Sequence, residues 1–195
     1  MLPQYFVYVA ILTSSLAIYS YLKDVVKGKT KPYLASWFIW FLAPMVAAIV
    51  GWKNGAGISV LPVFLAGFIP FLVIVFSVFN KDSYWKLKKL DYVCLFLSFC
   101  ALGFWFYFKE GTLATIFAIL ADGIAYIPTY IKSWKSPDSE TAWPYGAGIF
   151  ANLLGLATMA VFSFNTVAFA VYLIIANILE ISILFFRRKY LNIQN

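Results

Sequence analysis

Seven long runs of apolar residues constrain this chain more than any other feature. A helix that crosses the hydrocarbon core of a membrane needs about 20 mainly apolar residues, and each run has roughly that length. The runs do not show the alternation that marks the strands of a membrane β-barrel. The sequence therefore predicts an all-α integral membrane protein with seven transmembrane helices, at Tyr5–Leu22, Tyr33–Val50, Ile58–Phe79, Asp91–Phe108, Thr112–Ile131, Ala142–Ser163 and Asn165–Phe186.

The composition excludes a water-soluble domain. The 195 residues are 63% hydrophobic and 12% charged, whereas soluble domains are about 45–50% apolar and about 25% charged. The connections between the runs are short and leave no room for a soluble catalytic domain. The start, Met1-Leu2-Pro3-Gln4, lacks the basic region of a cleaved signal peptide, so we expect the first helix to remain in the mature protein.

The basic residues predict an orientation in the membrane. Lys53 and Lys109 fall on one side of the seven-helix arrangement, and the other thirteen lysines and arginines fall on the opposite side. Basic loops mark the cytoplasmic side, so we expect the N-terminus outside and the C-terminus in the cytoplasm of, by default, a bacterial inner membrane. The basic face should attract anionic lipid; we infer no nucleic-acid partner. The thirteen residues are Lys23, Lys27, Lys29, Lys31, Lys81, Lys86, Lys88, Lys89, Lys132, Lys135, Arg187, Arg188 and Lys189.

The residue types that are absent limit the chemistry. The chain has no histidine, which removes the usual general base and a common metal ligand. Cys94 and Cys100 would lie roughly 9 Å apart along a helix, too far for a disulfide, and we expect both to be packed thiols. A retinal Schiff base needs a lysine in the last helix, and Asn165–Phe186 contains none. Intramembrane aspartyl proteolysis needs two buried aspartates, and Asp122 stands alone. We therefore expect no enzyme activity, no cofactor and no bound metal.

A weak internal repeat divides the chain. Tyr21-Leu22-Lys23 and Tyr130-Ile131-Lys132 each end a helix and lead into a polar, basic loop. The pattern predicts two three-helix units, at residues 1–80 and 112–195, joined by a linker helix at residues 81–111. The linker lets both units point the same way, and parallel repeats around a central site are a transporter design.

The second unit carries a resemblance to a known family. Residues 128–135, Pro-Thr-Tyr-Ile-Lys-Ser-Trp-Lys, followed by Asp138-Ser139-Glu140-Thr141, resemble the PQ-loop motif, with Thr129 in place of the glutamine. The first unit has Tyr19-Ser20 at the matching place. The layout is similar over essentially the whole chain to SWEET sugar transporters and Pnu-type vitamin transporters. The resemblance implies a 3+1+3 arrangement of seven helices and a small-solute transporter.

Asp122 is the most informative single residue. A carboxylate at the centre of a bilayer costs about 2.5–3.5 kcal/mol on insertion scales. Thr115, Ala118, Asp122, Tyr126 and Thr129 recur at helical spacing, and they form one small or polar stripe. The stripe should face a cavity or another helix. Asp122 is then either a proton- or cation-binding carboxylate or a hydrogen-bond partner that joins two helices.

Further polar residues are candidates for the same site. Asn177 is similar in depth to the asparagine with which SWEET transporters bind sugar hydroxyls in their last helix, although Gly67-Phe68-Ile69-Pro70 stands where the family has its second asparagine. Glu180 lies on the same face as Asn177 and either serves the site or extends toward the cytoplasmic interface. Asn152 either lines the site or bridges helices through its small neighbours. Trp40 either stacks on a solute ring or packs.

Prolines and one tyrosine are candidates for moving parts. Pro128 matches a hinge proline of the family by motif, and Pro44, Pro70 and Pro144 match by region. Each is either a hinge or a static kink, because proline removes a backbone donor. Tyr130, with Tyr19 and Tyr21, either forms a gate or anchors the interface.

Two classes of function follow from these features. The leading hypothesis is a transporter of a small polar solute (a sugar, an amino acid, or a vitamin or nucleoside) that works by alternating access, with Asp122 as the candidate site of proton coupling. The alternative is a membrane receptor that does not transport, or a structural membrane subunit, with the same fold. The expected partners are the small-molecule solute and the lipid bilayer, and a homo-oligomer remains open.

Overall fold

The computed structural model describes residues 2–32, 34–77, 89–108 and 110–194, and these are almost entirely helical with no strand. Short 3-10 turns at Gly57–Val60 and Pro137–Ser139 precede the third and sixth helices. The α-helices of the described residues are α1 Phe6–Val26, α2 Leu34–Lys53, α3 Leu61–Ser77, α4 Lys89–Phe108, α5 Gly111–Lys135, α6 Trp143–Thr158 and α7 Phe164–Gln194.

Five of these segments are long and apolar enough to cross a membrane. They are α1, α2, Gly57–Ser77 (α3 with its preceding turn), α5 and Phe164–Leu191 of α7. These helices are compatible with an integral membrane protein. The predicted residues Tyr33, Phe79, Lys81, Lys86, Lys88 and Lys109 lie outside the described part of the chain.

The predicted ends of five helices were wrong. α1 continues past Leu22 to Val26 and α2 continues past Val50 to Lys53, because a helix need not stop where its apolar run stops. α5 continues past Ile131 to Lys135, and α7 continues past Phe186 to Gln194, since lysine and arginine are good helix formers. α6 ends at Thr158 and does not reach Ser163. The segment after it turns to start α7, where the Thr166 hydroxyl accepts a hydrogen bond from the Ser163 amide at 2.9 Å.

By their order in the chain, the helices other than α4 form a first group, α1–α3, and a second group, α5–α7. α3 contacts both α1 and α2, and α7 contacts both α5 and α6. The two groups meet where α1 packs on α6 and where α2 packs on α5. α4 packs chiefly on α5. Cys94 on α4 is buried, whereas Cys100 is partly exposed, so the expectation of packed thiols is confirmed for Cys94 only.

Small residues allow the close approach of α3 to its neighbours. A Cβ added at Gly67 would lie 2.8 Å from Met45 Cγ of α2, and one added at Gly155 of α6 would lie 3.1 Å from Pro62 Cγ of α3. Association of helices within a membrane relies on such close contacts. They hold α3 against both α2 and α6 and so shape the centre of the bundle.

The two ends of the bundle differ in charge. At one end, which we call the basic end, the loop after α1 meets the loop after α5, and the Thr30 and Thr141 hydroxyls lie 2.5 Å apart. At the opposite end the Leu2 amide donates to the Ala157 carbonyl at 2.8 Å. Among the described residues the basic end carries the lysines of 23–31, 132 and 135 and the basic segment 187–189 of α7.

Candidate functional site

A central cavity lies between the two groups of helices. It contains about 700 Å³ of empty space, including the part that is open to the outside. α1, α2, α3, α5, α6 and α7 all contribute to its wall. Its polar and aromatic lining residues are Ser14, Trp37, Trp40, Asp122, Tyr126, Tyr145, Asn152 and Asn177. Five residues predicted for the site, namely Asp122, Asn177, Asn152, Tyr126 and Trp40, therefore line one cavity.

Asp122 is buried, with 1% of its surface exposed. Its Oδ2 accepts a hydrogen bond from the Tyr172 hydroxyl of α7 at 2.9 Å. Its Oδ1 is buried and has no hydrogen-bond partner within the described chain. An unsatisfied buried acceptor costs about 1–3 kcal/mol, and more when it is charged. One oxygen of this carboxylate thus keeps an unused capacity to accept a hydrogen bond.

Three more residues that line the cavity each have a buried polar atom without a hydrogen-bond partner in the described chain. Trp40 Nε1, the Tyr145 hydroxyl and Asn152 Oδ1 are buried, and none has a partner among the residues described. Native proteins satisfy the great majority of their buried polar groups, so such exceptions need an explanation. Four of them at one cavity indicate a site that a polar ligand or ordered water completes.

The four atoms offer both kinds of hydrogen bonding. Trp40 can only donate, Asp122 as a carboxylate and Asn152 through its Oδ1 can only accept, and Tyr145 can do either. Further atoms of this kind belong to Asn165 and Glu180, which are not among the lining residues. The cavity can therefore hold a solute that carries donors and acceptors.

Tyr126 and Asn177 form one wall of the cavity. The Tyr126 hydroxyl donates to Asn177 Oδ1 at 2.9 Å, and the Tyr126 ring packs on Trp40 with 4.3 Å between ring centroids. The NH₂ group of Asn177 lies against Gly148 of α6, where an added Cβ would be only 2.9 Å from Nδ2. Gly148 thus leaves the space in which Asn177 holds its orientation.

We expect Gly148→Ala to disturb the site. The new methyl group must displace Asn177, and inserting atoms into a packed region costs about 1–3 kcal/mol. Gly146→Ala is the matched control, because a Cβ there meets only Ile181 Cδ1 at 3.8 Å. Thermal unfolding of the two purified variants should show a clear loss for Gly148→Ala and little change for Gly146→Ala. Equal melting temperatures would contradict this account of Asn177.

The predicted hinge prolines occupy different positions. Pro44 and Pro70 lie inside α2 and α3 and line the cavity. Pro144 also lines it but lies in the first turn of α6, where proline breaks no helical hydrogen bond. Pro128 lies buried inside α5, away from the cavity lining, where the Ser36 hydroxyl donates to the nearby Ala125 carbonyl at 2.5 Å.

The three predicted gate tyrosines have different surroundings. The Tyr130 hydroxyl donates to the Ala176 carbonyl at 3.0 Å, and its ring stacks on Tyr126. Tyr21 is fully buried, whereas 70% of Tyr19 is exposed. Tyr19 therefore faces away from the cavity, while Tyr21 and Tyr130 lie between the helices.

Glu180 does not reach the surface. It is fully buried, and one of its oxygens accepts a hydrogen bond from the Ser133 hydroxyl of α5. The sequence left two interpretations open, a site residue or a side chain that extends to the interface. The structure instead places Glu180 between α5 and α7, beyond Asn177 on the way to the basic end.

A buried ion pair at the basic end was not predicted. Glu140 in the loop before α6 is 3% exposed, and its Oε2 lies 2.7 Å from Lys132 Nζ. Its Oε1 accepts a hydrogen bond from the Tyr21 hydroxyl of α1 at 2.9 Å. We call these three side chains the Glu140 network. It joins the first group of helices to the second.

Neighbouring contacts hold the same loop in place. Lys132 Nζ also donates to the Lys31 carbonyl at 2.5 Å. The Arg188 guanidinium of α7 donates to the carbonyls of Pro137, at 2.9 Å, and of Glu140. Asp138, two residues before Glu140 in the same loop, is by contrast exposed over 88% of its side chain.

Tyr145 also lines the cavity and was not predicted as a site residue. A usable signal was present, because Tyr145, Gly148 and Asn152 fall on one face of α6 at helical spacing. Within the described residues no cluster of three or more histidine, cysteine or acidic side chains could hold a metal ion. Comparisons with protein-family models, curated proteins and solved structures gave no match. The function is therefore argued from the cavity itself.

Proposed function

We propose that the chain is a membrane transporter that moves a small polar solute by alternating access. The observation that carries the proposal is the central cavity, in which four buried polar atoms from α2, α5 and α6 have no partner in the described chain. A cavity between two groups of helices is also the place where rocking of one group against the other would expose a solute to either side.

The packing supports two equivalent three-helix units, α1–α3 and α5–α7, with α4 as the linker. In each group the third helix lies between the first and the second. The contact of α1 with α6 corresponds to that of α5 with α2, and the contact of α3 with α6 corresponds to that of α7 with α2. Exchanging the two groups thus preserves the contacts. This two-fold relation agrees with the resemblance to PQ-loop transporters.

The basic end is the cytoplasmic end in this proposal, because loops rich in lysine and arginine remain inside. Between the cavity and that end lie buried side chains, including Tyr21, Ser133, Glu140 and Glu180. The Glu140 network therefore closes the cytoplasmic side. Access from the cytoplasm would require α1 to separate from the loop before α6, which breaks the bonds of Glu140.

A second candidate is a receptor or a structural subunit. It draws on the bonds that Asp122 makes to Tyr172 and Tyr126 makes to Asn177, because each joins α5 to α7. A receptor would bind solute in a cavity that opens to one side only. A structural subunit would use these bonds to hold helices together and would admit no solute.

Cysteine accessibility distinguishes these candidates. In a background with Cys94→Ala and Cys100→Ala, single cysteines replace the lining residues Ala17, Ala66 and Ala147. A membrane-impermeant thiol reagent is applied to right-side-out and to inside-out vesicles. We expect labelling from both sides for a transporter; labelling from one side only would support a receptor, and labelling from neither side a structural role. Leu120→Cys is the control, since Leu120 is an exposed residue of α5 that would face lipid.

A further inference from the structure

The cavity has an uncompensated carboxylate. Asp122 lines it, and no lysine or arginine is among the lining residues that the structure describes. Elsewhere in the described chain, Glu140 pairs with the cation Lys132 at 2.7 Å, whereas Asp122 accepts its hydrogen bond from the uncharged hydroxyl of Tyr172. A buried charge is stable only when it is paired or neutralised. The cavity is thus suited to a cation and opposed to an anion.

The free hydrogen-bonding atoms favour a cation that carries N–H groups. Asp122 Oδ1 and Asn152 Oδ1 are both acceptors, they come from α5 and α6, and neither has a partner in the described residues. The Tyr145 hydroxyl can accept as well. An ammonium group donates up to three hydrogen bonds and accepts none. Its donors match this set, and its charge matches Asp122.

The remaining wall suits a compact apolar body. Trp37, Trp40 and Tyr126 lie close together, with 5.3 Å between the centroids of the two tryptophan rings and 4.3 Å between Trp40 and Tyr126. Aromatic rings attract cations through their faces. Leu65 and Ile69 add aliphatic surface. A strongly hydrated inorganic ion would gain little from such a wall.

We propose that the solute of this cavity is an organic ammonium ion, a protonated primary or secondary amine on a small apolar body. Asp122 is its counter-ion, Asn152 and Tyr145 accept its remaining N–H groups, and the aromatic side chains enclose its carbon atoms. The inference rests on the proposed function only in taking the cavity as the solute site.

Matched probes test the charge directly. Phenethylamine and 2-phenylethanol have nearly the same shape, but at pH 7 only the amine is charged. A ligand that binds only the folded protein raises its melting temperature. We expect phenethylamine to raise the melting temperature of the purified full chain in a saturable way and 2-phenylethanol to leave it unchanged. Equal shifts with both probes, or no shift with phenethylamine, would overturn the proposal.

Variants locate the probe. Asp122→Asn should weaken phenethylamine binding at least about 30-fold by calorimetric titration. Asp138→Asn removes a carboxylate whose side chain is 88% exposed and should bind as the parent does. Unchanged binding to Asp122→Asn would refute the assigned counter-ion. If that variant does not fold, the comparison of the two probes on the parent protein still decides the matter.

Flux separates this inference from the proposed function. Uptake of labelled phenethylamine into vesicles that contain the protein is compared with uptake into protein-free vesicles. Saturable binding of phenethylamine without uptake above that of protein-free vesicles would support the ammonium site and contradict the proposed transport. If the protein does not bind phenethylamine but takes up a neutral sugar or polyol, this would support the proposed transport and contradict the ammonium site.

Discussion

Asp122→Asn is expected to remove both solute binding and its dependence on pH while the protein still folds. The substitution keeps the shape of the side chain and leaves an oxygen that can accept the hydrogen bond of Tyr172, 2.9 Å away in the parent. What it removes is the negative charge. Losing one partner of a buried, hydrogen-bonded charge pair costs about 2–5 kcal/mol, so affinity should fall at least about 30-fold.

The dependence on pH has a definite sign. A protonated carboxyl cannot serve as counter-ion, so binding of a cationic probe to the parent should strengthen as pH rises and the carboxyl loses its proton. Within the described chain, the other titratable side chains at this part of the cavity are Tyr126, Tyr145 and Tyr172, and tyrosine is uncharged below about pH 9. The buried Glu180 of α7 lies nearer the basic end and is not among the lining residues. The binding of Asp122→Asn should be flat over the same range.

Titration of phenethylamine between pH 5 and 8 on the parent and the variant makes this measurement. Tyr172→Phe is the matched control, because it removes the bond to Asp122 and keeps the carboxylate, so its pH dependence should remain. A variant Asp122→Asn that still binds with the pH dependence of the parent would contradict the assignment. Gel filtration and helical circular dichroism establish that each variant is folded.

Glu140→Gln is expected to destabilise the protein and to open its basic end. Glu140 pairs with Lys132 and accepts from Tyr21 in a buried position. Removing one member of a buried ion pair costs about 3–5 kcal/mol because the other charge is left uncompensated. We expect the free energy of unfolding to fall by about 3 kcal/mol, the lower end of this range. The reason is that 15% of the Lys132 side chain is exposed, so water can partly solvate its charge. Glu140→Gln should also increase the rate at which the thiol reagent labels the Ala147→Cys variant when the reagent is applied at the basic end.

Asp138→Asn is the matched control for this experiment. It lies in the same loop, but its carboxylate is exposed and 3.8 Å from Arg188, and exposed pairs contribute about 0–1 kcal/mol. A double variant, Glu140→Gln with Lys132→Gln, should lose less stability than Glu140→Gln alone, because no buried charge remains unpaired. Equal stability and equal labelling of Glu140→Gln and Asp138→Asn would show that the Glu140 network does not close the basic end of the cavity.

The sequence was sufficient for what depends on local pattern. Long apolar runs predicted helices because a helix satisfies its own backbone within a membrane, and the described chain is helical. The stripe through Asp122 and Tyr126 predicted which face of α5 turns inward, since that face follows from the helical period alone. Both side chains are buried and line the cavity.

What the sequence could not provide depends on contacts between distant segments. Glu140 and Asp138 are two residues apart in one polar loop, yet one is buried and the other exposed, because Tyr21 of α1 reaches only Glu140. Glu180 was open to two interpretations, and its burial follows from Ser133, a residue at the polar end of α5 that the apolar run does not include. Partners separated by about fifty or more residues leave no local pattern.

Among the described residues that line the cavity, Asp122 is the one carboxylate, and this has an electrical consequence for the proposed transport cycle. One carboxylate can accept one monovalent cation or one proton, and the two exclude each other at the same oxygen. A cycle that carries an ammonium ion in one direction and a proton in the other moves no net charge across the bilayer. The membrane voltage would then neither drive nor oppose the exchange, and only the concentration ratios of solute and protons would set its direction.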